Sequence, residues 1–323
     1  MAHALNTIHP NLAQILTIAD PPRRTLFPRQ RSSAKLSMLL GAHVSIAGGF
    51  AEAAKAGKYI GCEAIQIFSR SPRTLRRPKP IAPEAVQALW DGMKKAGIVG
   101  IATHGNYLIN LCATAARMRK LARTAFVEEM QRAQALGIPF VVFHPGAHMG
   151  KGEAWGLRQI TESLDWAIAK ADAPNVSPLL ENTAGQGTTL GWSWEQLREI
   201  IEASRFDDRL GVCVDTCHTL AAGYDFLVPD RYEALMRQID AVLGLRRVKA
   251  FHLNDSKQGL GSRADRHEYV GKGKIGLDPF RWFVNDARFA MSLGILETAG
   301  PDRVFKRNLK LLKSLREPPP PKG

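Results

Sequence analysis

The sequence predicts an α/β fold, a single (β/α)8 TIM barrel with its active site at the C-terminal ends of the strands. Eight short apolar runs alternate with longer segments of helical period, which is typical of repeated βα units. The runs are rich in Val, Ile, Leu and Phe, as parallel strands buried on both faces require. With 323 residues, of which 45% are hydrophobic, the chain is long enough for a barrel of about 250 residues.

The eight predicted strands are separated by segments long enough for a helix. The strands are Leu39–His43, Ala64–Phe68, Val99–His104, Phe140–His144, Ser177–Glu181, Gly211–Asp215, Val248–His252 and Leu293–Glu297. Helices are predicted over Pro83–Ala96, where proline occupies a tolerated first position, and over Met118–Leu136, which Gly137 ends. The connection after Val248–His252 is much longer than the others, and long loops in compact domains usually serve function.

Residues 38–316 are expected to form the barrel, and the two ends of the chain to lie outside it. The first 37 residues hold five Arg or Lys residues against one acid, and two consecutive prolines interrupt any helix. We predict a disordered extension, and three origins stay open: an arginine-rich leader, a DNA-attracting arm, or translation begun upstream of Met38. Residues 317–323, EPPPPKG, are predicted to be a disordered tail.

Charge and composition restrict the partners of this chain. A formal charge of +14 favours polyanions, nucleic acid among them, although binding of DNA without sequence or lesion preference would need no more than this. No run of eighteen apolar residues exists, so no membrane partner is expected.

Four cysteines without a CxxC pair argue against a disulfide scaffold and favour a reducing compartment. Cys213 and Cys217 lie beside Asp215 and His218 in VCVDTCH. Metal binding and simple packing therefore both stay open for these two thiols, with packing favoured.

Seven of the eight predicted strands end in a residue that can bind a metal. These residues are His43, His104, His144, Glu181, Asp215, His252 and Glu297. The carboxyl ends of all strands converge on one face of a TIM barrel, so residues far apart in the chain would meet there. A single polar residue after an apolar run is ordinary, but seven imidazoles and carboxylates together indicate a site.

Three further residues of ligand type follow closely, namely His218, Asp265 and His267. In extended backbone an Asp-x-His pair points both side chains the same way. Nitrogen and carboxylate oxygen favour zinc, manganese or iron, and this many ligands exceeds what one four-coordinate zinc ion can use. The pattern therefore predicts a multinuclear site, in which a carboxylate such as Glu181 can bridge two ions. Paired metals are a recurring device for displacement at phosphorus.

Seven motifs carry a resemblance to a known family. They are GAHVSIAGG from Gly41, HGNYLINL from His104, FHPGAH from Phe143, ENTAGQG from Glu181, DTCH from Asp215, HLND from His252 and GSRADRH from Gly261. In this order they resemble the endonuclease IV family of apurinic/apyrimidinic endonucleases. The resemblance runs from about Met38 to Leu315 without large gaps.

The resemblance implies three zinc ions per chain, with manganese possible at one position, and Glu181 and Glu297 as catalytic groups. The first ion would be bound by His104, His144 and Glu181. The second would be bound by Glu181, Asp215, His252 and Glu297, and the third by His218, Asp265 and His267. Hydrolysis would take place 5′ to an abasic site and leave a 3′-hydroxyl and a 5′-deoxyribose phosphate, and a 3′-repair phosphodiesterase activity is also expected.

The implied partner is duplex DNA with abasic or 3′-blocked sites, acted on by a monomer. In the basic loop FSRSPRTLRRPK, Arg73 matches a stack-penetrating arginine of the family, and Tyr107 and Leu108 match residues that occupy the minor groove. Leu75 departs from the pattern, since the best-known members carry an aromatic residue in this loop.

Two histidines near the implied ligands are not expected to bind metal. The family's ligand set does not include a residue matching His43, which should instead hold a ligand or a phosphate oxygen by hydrogen bonds. His148 is expected to be structural or to face phosphate.

Two other functions stay open at this point. Divalent-metal sugar isomerases or epimerases place similar residues at the strand ends of a related barrel. A DNA-binding protein with purely structural metals would also be basic. The expected location is the cytoplasm, with nucleoid association in a bacterium, or an organelle or the nucleus if the extension is a eukaryotic leader.

Overall fold

The computed structural model describes residues 37–317 of the chain. The predicted extension at 1–37 and the predicted tail at 317–323 lie outside the described residues, apart from Ser37 and Glu317 at their borders.

Eight parallel strands close into a barrel, which confirms the predicted fold. Each strand pairs with its neighbours in sequence, and β8 returns to pair with β1. The strands are β1 (Leu39–His43), β2 (Ala64–Phe68), β3 (Gly100–His104), β4 (Phe140–Phe143), β5 (Ser177–Glu181), β6 (Gly211–Asp215), β7 (Val248–His252) and β8 (Leu293–Leu296).

Helices occupy the connections between the strands and the segment after β8. They are α1 (Phe50–Ile60), α2 (Pro83–Ala96), α3 (Ala116–Leu136), α4 (Glu153–Ala171), α5 (Trp194–Ala203), α6 (Thr216–Ala222), α7 (Pro229–Leu243), α8 (Asp278–Asn285) and α9 (Asp302–Ser314). The helix predicted from Met118 begins two residues earlier and ends, as expected, at Gly137 in left-handed conformation. None of the helices in residues 37–317 is both long and apolar enough to cross a membrane.

The predicted strands differ from the observed ones by one residue at three ends. Val99 is exposed and precedes β3, while His144 and Glu297 follow β4 and β8. These two side chains therefore project from the first residue beyond the ladder, at the same face of the barrel as the strand ends.

An apolar layer fills the barrel interior below that face. Its residues are Leu39, Ala64, Ala102, Val142, Leu179, Cys213, Ala250, Leu293 and Ile295. The larger core lies between strands and helices. Because the interior is closed by packed side chains, the polar strand ends form the floor of a cavity rather than a channel.

The buried carboxylate of Asp255 stabilises the long connection after β7 through hydrogen bonds to both of its ends. Asp255 accepts hydrogen bonds from the backbone N–H groups of Ser256, Gly273 and Ile275 at 2.8–3.0 Å. A short antiparallel pair, Asp255–Ser256 with His267–Glu268, joins the two limbs of the loop. This pairing places Asp265 and His267 over the strand ends.

Candidate metal centre

The nine candidate ligands lie together at the carboxyl end of the barrel, in three groups whose ligand atoms approach closely. His104 and His144 each place Nε2 at 3.1 Å from Oε2 of Glu181. Nδ1 of His104 donates to the carbonyl of Gly105 at 2.8 Å, so the lone pair of neutral His104 is on Nε2, facing Glu181. This group matches the first implied cluster.

The second group surrounds His252, which is fully buried. Its Nδ1 lies 2.9 Å from Oε1 of Glu181, 3.0 Å from Oε2 of Glu297 and 3.9 Å from Oδ2 of Asp215. Its Nε2 lies 3.0 Å from the side-chain oxygen of Gln66, a contact that requires a proton on Nε2. The other nitrogen of neutral His252 then presents a lone pair to three carboxylates, an arrangement that a cation or a proton must stabilise.

The third group stands beside the second. Nε2 of His218 and Nε2 of His267 are each 3.3 Å from the same oxygen of Asp265, and His267 is also 3.6 Å from Asp215. Both nitrogens are buried without a hydrogen-bond partner among the described residues. Asp215, which the resemblance places in the second cluster only, therefore lies between the two groups.

Charge in the site fits divalent cations. Within 4 Å of the carboxylates of Glu181, Asp215, Asp265 and Glu297, the basic groups of the described chain are all histidines. Buried carboxylates in such number need compensating charge. The first and second groups each bring nitrogen and oxygen donors within 4.8 Å of one another, as do Asp215, His218 and His267, which suits zinc.

The protonation equilibria of the site also depend on these contacts. Burial would raise the pKa of Glu181 and of Glu297, but the neighbouring histidines, His252 foremost, hold both pKa values well below the ordinary range. Burial acts against the charge on His252 and His218, yet the surrounding acids raise the pKa of both. Both glutamates are consequently ionised at neutral pH, as metal binding requires.

Three amide side chains that sequence reasoning missed hold the ligands in place. Gln66 donates to Oε1 of Glu297 at 2.6 Å while it accepts from His252. Asn254 donates to Oδ2 of Asp215 at 2.7 Å, and Asn182 accepts from the Asp215 backbone N–H at 2.7 Å. A signal for Gln66 was present, since it is the one polar residue within the apolar strand AIQIF.

His43 and His148 lie outside the three ligand groups. Nδ1 of His43 is 3.1 Å from Nε2 of Gln66 and 3.4 Å from Glu297, so this histidine contacts a candidate ligand from behind. Nδ1 of His148 accepts from the backbone N–H of Gly152 at 3.1 Å. That contact shapes the loop before α4.

The cysteines are all buried and free in the described residues. Cys213 belongs to the apolar layer of the barrel, and burial raises the pKa of its thiol to about 12. Burial raises the pKa of Cys217 to about 11. Cys217 nevertheless lies within ligand distance of Asp265 and His267, so both interpretations of this residue stay open.

Of the residues expected to contact DNA, Tyr107 lines the cavity of the site. The cavity, of about 360 Å³, is lined by His43, Phe68, Tyr107, Phe305 and seven of the nine candidate ligands, all but Asp215 and His252. Tyr107 is 59% exposed and Leu108 44%, and Arg73 is also exposed. Leu75 is half-buried and packs against the hydrophobic core. A second hollow, of about 420 Å³, is lined by residues of α3 and α4 together with Arg205, none of them a candidate ligand.

Comparison with known proteins shows similarity along most of the chain. Residues 50–315 match the family described as Xylose isomerase-like TIM barrel. A probable endonuclease 4 of Citrifermentans bemidjiense is 44% identical over 281 residues, which cover 86% of this chain and 99% of that protein. A probable endonuclease 4 of Chloroflexus aggregans is 46% identical over 277 residues, which cover 85% of this chain and 96% of that protein.

Solved structures are also similar to this chain. Endonuclease IV from Thermus thermophilus superposes with a TM-score of 0.77 at 34% identity, covering 86% of this chain and 98% of that one. A D-tagatose 3-epimerase-like protein superposes with a TM-score of 0.65 at 18% identity, covering 86% of this chain and 97% of that one. The second likeness shows the barrel fold alone.

Proposed function

Because this chain belongs to the endonuclease 4 family of xylose isomerase-like TIM barrels, we propose that it is a zinc-dependent DNA repair endonuclease. Its substrate is duplex DNA with an abasic site. It hydrolyses the phosphodiester on the 5′ side of that site and leaves a 3′-hydroxyl and a 5′-deoxyribose phosphate. The same site would remove blocking groups from 3′ ends, because that reaction also cleaves a phosphate ester at a DNA 3′ oxygen.

One observation carries the proposal: three ligand groups adjoin in one cavity, with the carboxylate of Glu181 facing both the first and the second. The first group would hold one ion, Glu181 with Asp215, His252 and Glu297 a second, and His218 with Asp265 and His267 a third. Zinc bound there would supply a water of pKa near 7 and would stabilise negative charge on phosphate oxygens. Three adjacent cation sites suit a phosphodiester, whose charge increases during hydrolysis.

The chain's own residues would orient and desolvate the reacting phosphate. Glu181 is fully buried and ionised, and its two oxygens point to different histidines, so its orientation is determined from both sides. Phe68 and Phe305 form apolar walls of the cavity. These walls would exclude water and leave the metal groups as the polar surface that the phosphate meets.

The shape of the cavity mouth is better suited to a nucleotide displaced from the DNA stack than to an intact DNA duplex. The candidate ligands lie at the strand ends, below exposed loops, so a phosphate within stacked duplex could not reach them without displacement of its nucleotide. Arg73, Tyr107 and Leu108 are exposed at neighbouring loops, where they can penetrate the stack and fill the minor groove. A formal charge of +14 supports binding to the phosphate backbone.

The test uses a duplex with a single tetrahydrofuran abasic analogue. We expect one nick on the 5′ side of the analogue, loss of this activity after treatment with a zinc chelator, and its recovery on addition of zinc. An undamaged duplex is the matched substrate control. Turnover of a ketose or an aldose in place of DNA would favour the isomerase interpretation, and binding without nicking would favour a structural role for the metals.

A further inference from the structure

Two loops expected to contact DNA are joined by a buried amide. We call residues 70–79 the arginine loop and residues 105–108 the β3 turn. The arginine loop carries Arg73, and the β3 turn carries Tyr107 and Leu108. The β3 turn also contains Asn106, which is 3% exposed although the two residues that follow it, Tyr107 and Leu108, are exposed to solvent.

The side chain of Asn106 uses both of its polar atoms. Its Nδ2 donates to the carbonyl oxygens of Ser71 at 3.1 Å and Thr74 at 2.9 Å, on either side of Arg73. Its Oδ1 accepts from the backbone N–H of Leu108 at 2.9 Å. One residue therefore ties the backbone that carries Arg73 to the backbone that carries Leu108.

The ends of the arginine loop are anchored separately, on α3. Arg132 donates to the carbonyl oxygen of Ser69 and to that of Lys79, at 2.9 and 2.8 Å. The hydroxyl of Ser69 donates to the fully buried carboxylate of Glu129 at 2.6 Å. Arg70 is also buried and pairs with Glu128 at 2.6 Å. Between these anchors, Asn106 holds residues 71–74, while Arg70 also donates to the carbonyl of Arg76 and Leu75 packs against the core.

We infer that Asn106 is a positioning residue that holds the arginine loop and the β3 turn as one preorganised DNA-binding unit, an inference that rests on the proposed function. A flexible basic loop would have to be ordered when DNA binds, and that ordering costs affinity. The Asn106 contacts order the loop when the protein folds, so it need not be ordered when DNA binds. Arg73, Tyr107 and Leu108 then keep a constant spacing before the duplex arrives.

The test compares three variants with the wild type. Asn106→Ala removes all three hydrogen bonds, while Asn106→Asp keeps the acceptor for Leu108 and loses both donors. Asn285→Ala is the matched control, since Asn285 also donates to two carbonyl oxygens, those of Arg281 and Leu315, and accepts from the N–H of Glu317.

The first readout needs no DNA. Trypsin can cleave the exposed Arg73–Thr74 and Arg76–Arg77 bonds, whereas proline follows Arg77 and Lys79. We expect both Asn106 variants to be cut at Arg73–Thr74 about tenfold faster than the wild type, because the two hydrogen bonds to the carbonyls of Ser71 and Thr74 are lost, while the Arg76 carbonyl stays held by Arg70. Mass spectrometry identifies the bond, and Asn285→Ala should be cut there at the wild-type rate.

The second readout is the incision of the abasic duplex. We expect KM to rise by about tenfold for both Asn106 variants, with kcat within about twofold of the wild type. Wild-type trypsin resistance in both variants would overturn the inference, and so would faster proteolysis with unchanged KM. If the wild type makes no nick, the proposed function fails, while proteolysis still decides whether Asn106 holds the loop.

Discussion

At the scale of single residues, the site depends on side chains that serve two partners at once. Oδ1 of Asp215 accepts from the backbone N–H of His218 at 2.7 Å and so caps the first turn of α6. Its Oδ2 accepts from Asn254 and faces the second and third ligand groups. Because the cap also positions His218, one carboxylate orients two candidate ligands.

Glu181→Gln tests the carboxylate shared by two groups. We expect the incision rate to fall by about a thousandfold or more, because the uncharged amide cannot serve two cations. Affinity for the duplex should stay nearly unchanged, since the loops that we propose to bind DNA are not altered. Single-turnover incision and fluorescence anisotropy measure the two properties. Glu162→Gln, on an exposed part of α4, is the control, and wild-type incision by Glu181→Gln would refute the assigned role.

Gln66→Leu tests the amide behind the second group. The leucine removes the hydrogen bonds to His252 and Glu297, so both ligands lose their orientation, and we expect zinc affinity to fall by about 10–100-fold. Competition with a chromogenic chelator measures this effect independently of incision. Gln87→Leu on the exposed face of α2 is the matched substitution. Equal zinc retention in both variants would show that packing alone orients the ligands.

At the scale of elements, the closeness of neighbouring strands limits which residues the barrel accepts. Gly41 lies in β1, and a methyl group on its Cα would overlap the carbonyl oxygen of Ala64 in β2. The two residues are register partners in the parallel ladder. Gly41 is therefore required by close approach of the backbones, and β1 in turn carries His43 to the edge of the site.

Gly41→Ala should destabilise the protein by about 3 kcal/mol or more, because the clash is with backbone that cannot move without breaking the ladder. Denaturant unfolding followed by circular dichroism measures the change. Gly259→Ala is the control, since nothing lies within 4 Å of its added Cβ. A Gly41→Ala protein with wild-type stability would mean that β1 and β2 can separate at no cost.

At the scale of the whole molecule, hydrogen bonds and an ion pair join the C-terminal end of the barrel domain to residues beside its first strand. Arg316, just beyond α9, donates to both carboxylate oxygens of Glu63 at 2.8 and 2.6 Å and to the carbonyl of Met38. Burial raises the pKa of Glu63, but the hydrogen bonds from Arg316 and the Leu40 N–H outweigh this and leave the pKa below its ordinary value. The C-terminal residues thus stabilise the entry to β1.

Glu63→Gln should weaken the interaction with Arg316 and cause a loss of stability that depends on pH. Because the folded pKa lies below the unfolded one, the charge of Glu63 stabilises the fold at neutral pH, and that contribution disappears as pH falls through the folded pKa. We expect a loss of about 1–2 kcal/mol near pH 7 that shrinks below about pH 4. Urea unfolding across this range measures it, with Glu52→Gln as control. A pH-independent difference would mean that lost packing, not charge, causes the effect.

Local sequence patterns were sufficient to predict the barrel and the kinds of side chain at its mouth. Strand bounds followed from local apolar runs, and all but Val99, His144 and Glu297 agree with the structure. The convergence of the ligands followed from topology, since parallel strands in a barrel end at one face.

The arrangement of those side chains depends on packing between distant elements and became known from the fold. The fold placed His43 behind Glu297, Asp215 between two ligand groups, and Gln66 against His252. It also joined Asn106 to a loop more than thirty residues earlier. Such contacts depend on rotamers and distances of a few ångströms between elements far apart in the chain, whereas periodicity records only which face of an element is buried.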